Sequence, residues 1–361
     1  MRRTITGQHA FTGRGALSNP PGRFDLQQVA AVDDGWYLEE EPDSIATTLD
    51  PDCAREVIST NDSPDIPFER SINPYRGCSH GCVYCYARPS HAYMGLSPGL
   101  DFETRLFYKQ NAARLLEAQL ARPGYVCKPI TLGANTDPYQ PVERRMKVTR
   151  SILEVLARTR HPVTVITKSA LVLRDLDLLT DLARDGLAAV AVSITSLDND
   201  LKRTLEPRAA SPQARLRALA ALNAAGVPSG VLVAPVIPAL TDHELEAILT
   251  ASAQARARWA GYVLLRLPYE IKDLFREWLA EHYPERAAHV MSLIRDMRGG
   301  RDNDPRFGTR MRGTGPYALL LKNRFRIACQ RLNLRTSGRD AVDTSLFRAP
   351  TLPGSQLHLG L

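Results

Sequence analysis

The chain has 361 residues, enough for one large domain or two ordinary ones. Hydrophobic residues make up 44% and charged residues 24% of the sequence, values that exclude a wholly disordered chain, a collagen-like repeat and a membrane-embedded bundle. The net charge of +7 permits an anionic partner without requiring one. We therefore expect a folded, soluble protein.

Residues 1–70 show no sustained periodicity. They are rich in Gly, Pro, Asp and Ser, so we expect a lead-in that is partly loop. The basic start Met1–Thr4 is not followed by an apolar run of signal-peptide length, and no stretch reaches the roughly 20 apolar residues of a membrane span. The sequence predicts a cytoplasmic protein with no membrane partner.

Between residues 71 and 267, short apolar runs alternate with amphipathic stretches. The runs predict strands at Ser71–Tyr75, Pro129–Gly133, Pro162–Thr167, Ala188–Ile194, Ser229–Val236 and Tyr262–Leu267. The stretches predict helices at Ala112–Ala121, Val148–Arg160, Ala170–Asp185, Pro212–Ala225 and His243–Arg258. This alternation indicates an α/β fold with parallel strands. Six repeats suit an open partial (βα)6 barrel with ligands at the carboxyl ends of the strands, and an open doubly wound sheet is the alternative.

Residues 268–335 are predicted to form a helical C-terminal region, followed by a tail over residues 336–361. The predicted helices are Lys272–Glu281, Ala287–Met297 and Tyr317–Leu334. Between Arg295 and Arg335 there are eleven Arg and Lys against three Asp, an excess larger than the net charge of the chain. This basic segment suits a nucleic-acid partner, although a solvated helix face explains it as well.

Three of the six cysteines, Cys78, Cys82 and Cys85, lie within eight residues. A disulfide framework would spread its cysteines through a short secreted chain, so this cluster indicates a metal centre. A zinc site would take four ligands, with His80 or His91 as the fourth. An iron–sulfur cluster with four irons is fully ligated by four thiolates, so three thiolates would leave one iron open to a small molecule. The other cysteines are Cys53, Cys127 and Cys329.

The run C-x₃-C-x-aromatic-C, with Tyr84 in the aromatic position, resembles the hallmark of the radical S-adenosylmethionine (radical SAM) superfamily, and so does the repeated βα pattern around it. The resemblance implies a radical SAM type (βα)6 partial barrel with a C-terminal helical extension. It implies a [4Fe–4S] cluster held by Cys78, Cys82 and Cys85, with S-adenosylmethionine bound to the open iron. Reductive cleavage would then form a 5′-deoxyadenosyl radical that abstracts hydrogen from a substrate, with electrons supplied by a protein such as flavodoxin or ferredoxin.

The same resemblance implies cofactor-binding residues at the strand ends. The expected set is Tyr84, Asn135, Thr136, Asp137, Ser193, Thr195, Arg208 and Pro235. The segment 135–137 stands where the superfamily holds the methionine amino group, and Arg208 is expected to bind the methionine carboxylate. Each assignment has a simpler alternative: a turn at 135–137, a helix cap after Thr195, an exposed arginine at 208 and packing at Pro235.

Four segments resemble a bacterial family related to spore photoproduct lyase that has no settled substrate: Ser71–Arg88, Thr136–Glu143, Leu205–Arg208 and Ala234–Asp242. The lyase repairs a thymine dimer in DNA with a cysteine as hydrogen donor and tyrosines as relays. Tyr86, beside Cys85, suits such a relay. The position of the lyase's hydrogen-donor cysteine corresponds to Ala134 in this sequence, so Cys127 is the cysteine that could take over that role. We therefore expect an enzyme acting on an unidentified substrate, with a DNA repair lyase as one alternative and a non-catalytic zinc or nucleic-acid-binding protein as another.

Overall fold

The computed structural model describes residues 11–25, 44–336 and 343–351. Its strands are β1 (Thr48–Pro51), β2 (Ile58–Thr60), β3 (Arg70–Ile72), β4 (Tyr75–Arg76), β5 (Arg105–Tyr108), β6 (Ile130–Leu132), β7 (Val163–Thr167), β8 (Ala188–Ser193), β9 (Ser229–Val236) and β10 (Ala260–Leu264). Its α-helices are α1 (Asp101–Thr104), α2 (Ala112–Leu120), α3 (Glu143–Met146), α4 (Val148–Arg158), α5 (Leu176–Arg184), α6 (Asn199–Leu205), α7 (Pro212–Ala224), α8 (Leu245–Gln254), α9 (Ile271–His282), α10 (Pro284–Asp296) and α11 (Gly315–Arg331). Short 3₁₀ helices span Arg88–Met94, Ala170–Asp175 and Asp242–Glu244. The start Met1–Thr4, the rest of the predicted lead-in at 1–10 and 26–43, and the tail at 337–342 and 352–361 lie outside the described residues.

The main sheet has the strand order β10-β9-β8-β7-β6-β3-β2. The six strands from β3 to β10 in this sheet pair in parallel, and β2 pairs antiparallel with β3. The order follows the chain without reversal, whereas a doubly wound sheet reverses at a switch point. Helices α4 and α7 each contact the next helix along the chain, α5 and α8 respectively. The parallel α/β prediction is confirmed, and each predicted strand overlaps one of the six.

The sheet curves into an open partial barrel. Loops from distant strands meet at its mouth, which shows this curvature. The amide of Val83, which follows the first barrel strand, donates to the carbonyl of Leu205, which follows β8, at 3.2 Å. Across the gap between the two ends of the sheet, Arg310 Nε lies 2.7 Å from Asp65 Oδ2. The functional side chains that follow separate strands are therefore brought to one place.

Burial of the strands explains their composition. All six residues of β8 are buried, and all but the last are Ala or Val. A parallel strand covered on both faces reads as a continuous apolar run, because neither face meets water. The core therefore occupies the barrel interior and the sheet–helix layer, and the polar residues collect where the strands end.

The C-terminal region forms helices α9 to α11, as predicted, and covers the free edge of β10. The amide of Leu264 donates to Met311 O at 3.0 Å, and that of Ala260 donates to Arg335 O at 2.9 Å. Covering an edge strand in this way prevents it from pairing with another chain. None of the helices in the described part is long and apolar enough to cross a membrane.

Much of the basic charge predicted here is neutralised within the fold. Arginines of the 295–335 segment form ion pairs with Asp302, Asp304, Asp65 and Glu246. Two of these pairs, Arg310 with Asp65 and Arg324 with Glu246, join the C-terminal region to the rest of the fold, and the other two lie within the segment.

Candidate active site

The three clustered cysteines lie on the cysteine loop (residues 77–88), which begins directly after β4. Gln140, from the segment after β6, clamps the start of this loop: its Oε1 accepts from the Ser79 amide at 2.8 Å, and its Nε2 donates to Gly77 O at 3.1 Å. Gln140 is fully buried, so these bonds have no competition from water. The conformation of the loop is thus built into the core of the protein.

The thiols of this loop are free and buried together. Cys78 and Cys82 are each 7% exposed, and Cys85 is half-buried. Burial raises the pKa of all three thiols, and the charges of Asp137, Cys82 and Cys85 raise that of Cys78 further. Cys85 packs against the apolar clusters that contain Cys78 and Cys82. Thiolates crowded in this way need a cation in place of their protons. The donor set therefore fits a thiolate-bound metal centre.

The two histidines considered as zinc ligands have partners of their own. His80 Nδ1 lies 3.4 Å from Asp137 Oδ2, and His91 Nε2 lies 3.0 Å from Arg105 O in a fully buried position. Across the described ranges, no three His, Cys, Asp or Glu side chains form a group that could hold one metal ion. That finding concerns a single ion, whereas in a four-iron cluster each thiolate binds a different iron.

A buried ion pair fixes the far side of the cysteine loop. The Arg88 guanidinium pairs with Glu103, and its Nε donates to Cys82 O at 2.9 Å. Glu103 also accepts the Gly15 amide at 3.0 Å, so the N-terminal segment 11–25 is tied to the loop. A Cβ at Gly15 would lie 1.8 Å from Gly81 O, so this contact requires glycine. The lead-in therefore contains residues that support the site, which the sequence did not indicate.

Glu206 is the centre of a buried network at the barrel mouth. It accepts hydrogen bonds from the Tyr84 hydroxyl and, at 2.7 Å, from Thr195 Oγ1. Arg215 pairs with its other oxygen, and Lys168 Nζ lies 3.1 Å from Oε1. Burial opposes ionisation, but Arg215 and Lys168 outweigh it and hold the pKa of Glu206 below its ordinary value. Since Tyr84 lies on the cysteine loop, this network fixes the loop to the ends of the strands.

Lys168 connects three strand ends. It follows β7 directly, and its Nζ donates to Ser193 Oγ at 2.8 Å, to Thr195 Oγ1 at 3.1 Å and to Ala234 O at 2.9 Å. The ammonium group also lies 5.6 Å from the ring centroid of Tyr84. The ammonium group is also paired with Glu206, so a carboxylate ligand bound at these hydroxyls would share this cation with Glu206. The sequence analysis missed Lys168, although its position after a predicted strand was a usable signal.

Asp137 ties the loop after β6 to its surroundings. One oxygen accepts from Thr167 Oγ1 and from the Tyr139 amide, at 2.7 and 2.8 Å, and the other accepts from the Lys168 amide at 2.7 Å and faces His80. These donors outweigh the effect of burial and hold the pKa of Asp137 below its ordinary value. The carboxylate lies at the predicted site, with its oxygens engaged by the chain itself.

Asn135 and Thr136 are held by Asn73. The Asn73 Oδ1 accepts the amide of Asn135 at 2.9 Å and that of Thr136 at 3.4 Å. The Thr136 hydroxyl is buried and donates to Tyr75 O at 2.9 Å, whereas the Asn135 side chain is half-buried. Of the predicted trio 135–137, Asn135 has the side chain best placed to meet a ligand.

Comparison with known proteins agrees with this geometry. Residues 72–251 match the family model for the radical SAM superfamily. An uncharacterized protein of Mycobacterium tuberculosis is 38% identical over 245 residues, which cover 67% of this chain and 72% of that one. The chain belongs to the radical SAM superfamily. This membership implies a [4Fe–4S] cluster and S-adenosylmethionine as cofactors, and the three free thiols fit that cluster.

Two further proteins are similar to the chain, one in sequence and one in structure. An uncharacterized protein of Methanocaldococcus jannaschii is 28% identical over 214 residues, covering 59% of this chain and 76% of that one. A solved structure of a spore photoproduct lyase mutant, with bound AdoMet and dinucleoside spore photoproduct, aligns with a TM-score of 0.58 and 16% identity over 80% of each chain. At that identity the likeness establishes a shared fold, and with it the partial barrel.

Two further residues of the predicted radical SAM site lie around the mouth. The Tyr86 ring is half exposed, and its hydroxyl donates to the carbonyl of Ala134, the residue at the expected donor position. Pro235 lies in β9, next to the Ala234 carbonyl that accepts from Lys168. Both residues are therefore brought to the region where the strands end.

Arg208 and Cys127 are placed differently. The Arg208 side chain is exposed and reaches Thr47 Oγ1 at 3.4 Å, while its amide donates to His80 O in the cysteine loop at 3.1 Å. Cys127 precedes β6, at the end of the strands opposite to the cysteine loop, and it interacts with Arg70 at the start of β3. The structure does not bring Cys127 to the mouth of the barrel.

Proposed function

We propose that this radical SAM protein cleaves S-adenosylmethionine reductively at a [4Fe–4S] cluster held by Cys78, Cys82 and Cys85, and that the resulting 5′-deoxyadenosyl radical takes hydrogen from a substrate. The observation that carries the proposal is the group of three free thiols, two buried and one half-buried, at a barrel mouth lined with polar strand-end residues. When bound, the cluster supplies the electron that breaks the sulfonium bond. The chain holds the reactants in place and excludes water.

Within this proposal, Lys168 is the cation we assign to the methionine carboxylate. Its ammonium group is mostly buried and lies between the hydroxyls of Ser193 and Thr195, whereas Arg208 is exposed. A charge-assisted bond is stronger in such a water-poor site than at the surface. Asn135 is the group we assign to the methionine amino group.

Tyr84 and Glu206 are positioning residues in this proposal. The Tyr84 hydroxyl reaches Glu206, which is held in turn by buried Arg215. Pro235 is assigned to the adenine, which it would contact through its apolar ring. A rigid support of this kind keeps bound groups at the geometry that hydrogen transfer needs.

The electron must come from another protein, and a flavodoxin or ferredoxin of the cytoplasm is the donor we propose. One electron enters for each S-adenosylmethionine cleaved, methionine leaves, and the adenosyl radical becomes 5′-deoxyadenosine by taking a hydrogen atom. That stoichiometry makes 5′-deoxyadenosine the product to measure.

The test is anaerobic reconstitution followed by reduction with dithionite in the presence of S-adenosylmethionine. We expect about four irons and matching sulfide per chain, with formation of 5′-deoxyadenosine. Cys82→Ala should lose both, and Cys53→Ala, which changes an exposed cysteine, should keep both. Stoichiometric zinc in anaerobically purified protein, or a loaded cluster that yields no 5′-deoxyadenosine, would contradict the proposal.

A dimer-reversing lyase is the alternative that the fold suggests, and the cysteines do not favour it. Ala134 occupies the expected donor position, and Cys127 lies at the opposite end of the strands. A lyase of this chain would need another hydrogen donor, for which Tyr86 is the nearest phenol at that position. Deuterium transfer from labelled DNA, RNA or cell-extract fractions into 5′-deoxyadenosine would identify the substrate class.

A further inference from the structure

Arg266 lies at the mouth of the barrel and forms no ion pair with a carboxylate of the described residues. It follows the end of β10 by two residues, at the same edge of the sheet as the cysteine loop. Among the residues that the structure describes, its buried Nε has no hydrogen-bond partner, and its NH1 makes a weak contact, 3.7 Å from Met311 Sδ. The carboxylate that acts on it, Asp65, is already paired with Arg310 at 2.7 Å. Within the described chain, the donors of Arg266 are therefore poorly satisfied.

Other cations surround this guanidinium. Arg298 is 2% exposed and donates to Leu265 O at 2.7 Å, and Arg310 is close enough to act electrostatically on Arg266. Burial lowers the pKa of Arg266, and the charge of Arg310 lowers it further. Burial and the charge of Arg266 lower the pKa of Arg298 to about 10. Arg310 is paired with Asp65 and Arg298 donates to backbone carbonyls, so among the described residues Arg266 is the member of this group that is left for an anion to compensate.

The position of Arg266 relates it to the chemistry of the site. Tyr86, next to Cys85 on the cysteine loop, is 50% exposed and interacts electrostatically with Arg266. On the outer side, Arg310 lies 4.6 Å from the ring centroid of Phe307, which is 59% exposed. A ligand held by Arg266 would thus contact the cysteine loop and still reach solvent.

We propose that Arg266 anchors a phosphate group of the substrate, with Arg298 and Arg310 supplying the surrounding positive potential. The inference rests on the proposed function, since it places the substrate beside the radical-generating loop. A phosphate suits the site because its several acceptor oxygens and its charge match a guanidinium fork among other cations. A small phosphorylated molecule and the phosphodiester of a nucleic acid share this chemistry.

The test is calorimetric titration of the cluster-loaded full chain with three probes. Inorganic phosphate and a dinucleoside monophosphate represent small ligands, and a short single-stranded oligodeoxynucleotide represents nucleic acid. We expect Arg266→Gln to weaken phosphate binding at least about tenfold, because a charge-assisted bond is lost. Arg266→Lys, which keeps the charge and loses the fork, should lie between Arg266→Gln and the unmodified protein.

The matched control is Arg122→Gln, which removes the same charge from an exposed pair with Glu56, just after α2. It should bind each probe within about twofold of the unmodified protein. Arg266→Gln removes a cation that forms no ion pair within the described part of the chain, so it should unfold at the same urea concentration as the unmodified protein. Tighter binding of the oligonucleotide than of the dinucleoside would indicate a nucleic-acid substrate, and equal binding would indicate a small one.

Equal phosphate binding by Arg266→Gln and Arg122→Gln would overturn the proposal, as would the absence of binding of all three probes to the unmodified protein. Loss of phosphate binding in saturating S-adenosylmethionine would also overturn it, since Arg266 would then belong to the cofactor pocket. A chain that binds phosphate through Arg266 but forms no 5′-deoxyadenosine would contradict the proposed function instead. The two failures are therefore distinguishable.

Discussion

Replacing Glu206 by glutamine is predicted to destabilise the mouth of the barrel. In the native arrangement, one carboxylate oxygen meets Arg215, and the other meets Lys168, Tyr84 and Thr195. Glutamine has one oxygen and one NH₂ group. Whichever way the amide is turned, its NH₂ group faces a cation, so one donor is always opposed by another.

The expected magnitude follows from the burial of the pair. Glu206 is 2% and Arg215 1% exposed, and breaking a buried ion pair by neutralising one partner costs about 3 kcal/mol or more. The control is Glu154→Gln, which breaks an exposed pair with Arg150 one helical turn away, worth about 0.5 kcal/mol or less. The same chemical change should therefore have effects of very different size at the two positions.

Anaerobic urea unfolding of the cluster-loaded protein, followed by circular dichroism, measures this difference. The folded pKa of Glu206 lies below its ordinary value of 4.5, so its contribution is fully present above that value and is lost only as the pH falls further. The stability gap between unmodified protein and Glu206→Gln should thus stay constant from pH 8 to 5.5. A gap that narrows in this window, or a Glu206→Gln protein as stable as Glu154→Gln, would refute the reasoning.

Two other predictions concern the cofactor and the N-terminal segment. Lys168→Met should weaken S-adenosylmethionine binding about tenfold or more, whereas Arg208→Gln should change it by less than about twofold, as equilibrium binding to reconstituted protein would show. A larger loss of binding in Arg208→Gln than in Lys168→Met would assign the methionine carboxylate to Arg208 instead. Gly15→Ala should speed the loss of the visible absorbance of the cluster in air, because a Cβ would lie 1.8 Å from Gly81 O and displace the segment that covers the cysteine loop. Gly124→Ala is its control, because nothing lies within 4 Å of a Cβ at that position, and the strain from its positive φ stays local. Equal decay rates of the two variants would contradict a covering role for the N-terminal segment.

The amino-acid sequence by itself indicated the family and the order of the six parallel strands and their connecting helices, but not the short elements β1, β2, β4, β5, α1, α3 and α6. Three cysteines at the spacing C-x₃-C-x₂-C are a local pattern, and the alternation of apolar runs with amphipathic stretches is local as well. Both can be recognised without knowing which distant residues touch. For that reason, the sequence predicted each of the six parallel strands at a position that overlaps the observed strand.

Tertiary structure alone decided which polar residues meet. Lys168 follows β7, Glu206 follows α6 and Arg215 lies within α7, and only the tertiary fold brings their side chains together. By contrast, Cys127 is close in sequence to the mouth segment 133–137 but lies across the length of β6 from it. A strand separates the residues at its two ends, while parallel strands align the residues that follow each of them. Sequence distance is therefore a poor guide to the composition of this site, and the fold assembles it from residues far apart in the chain.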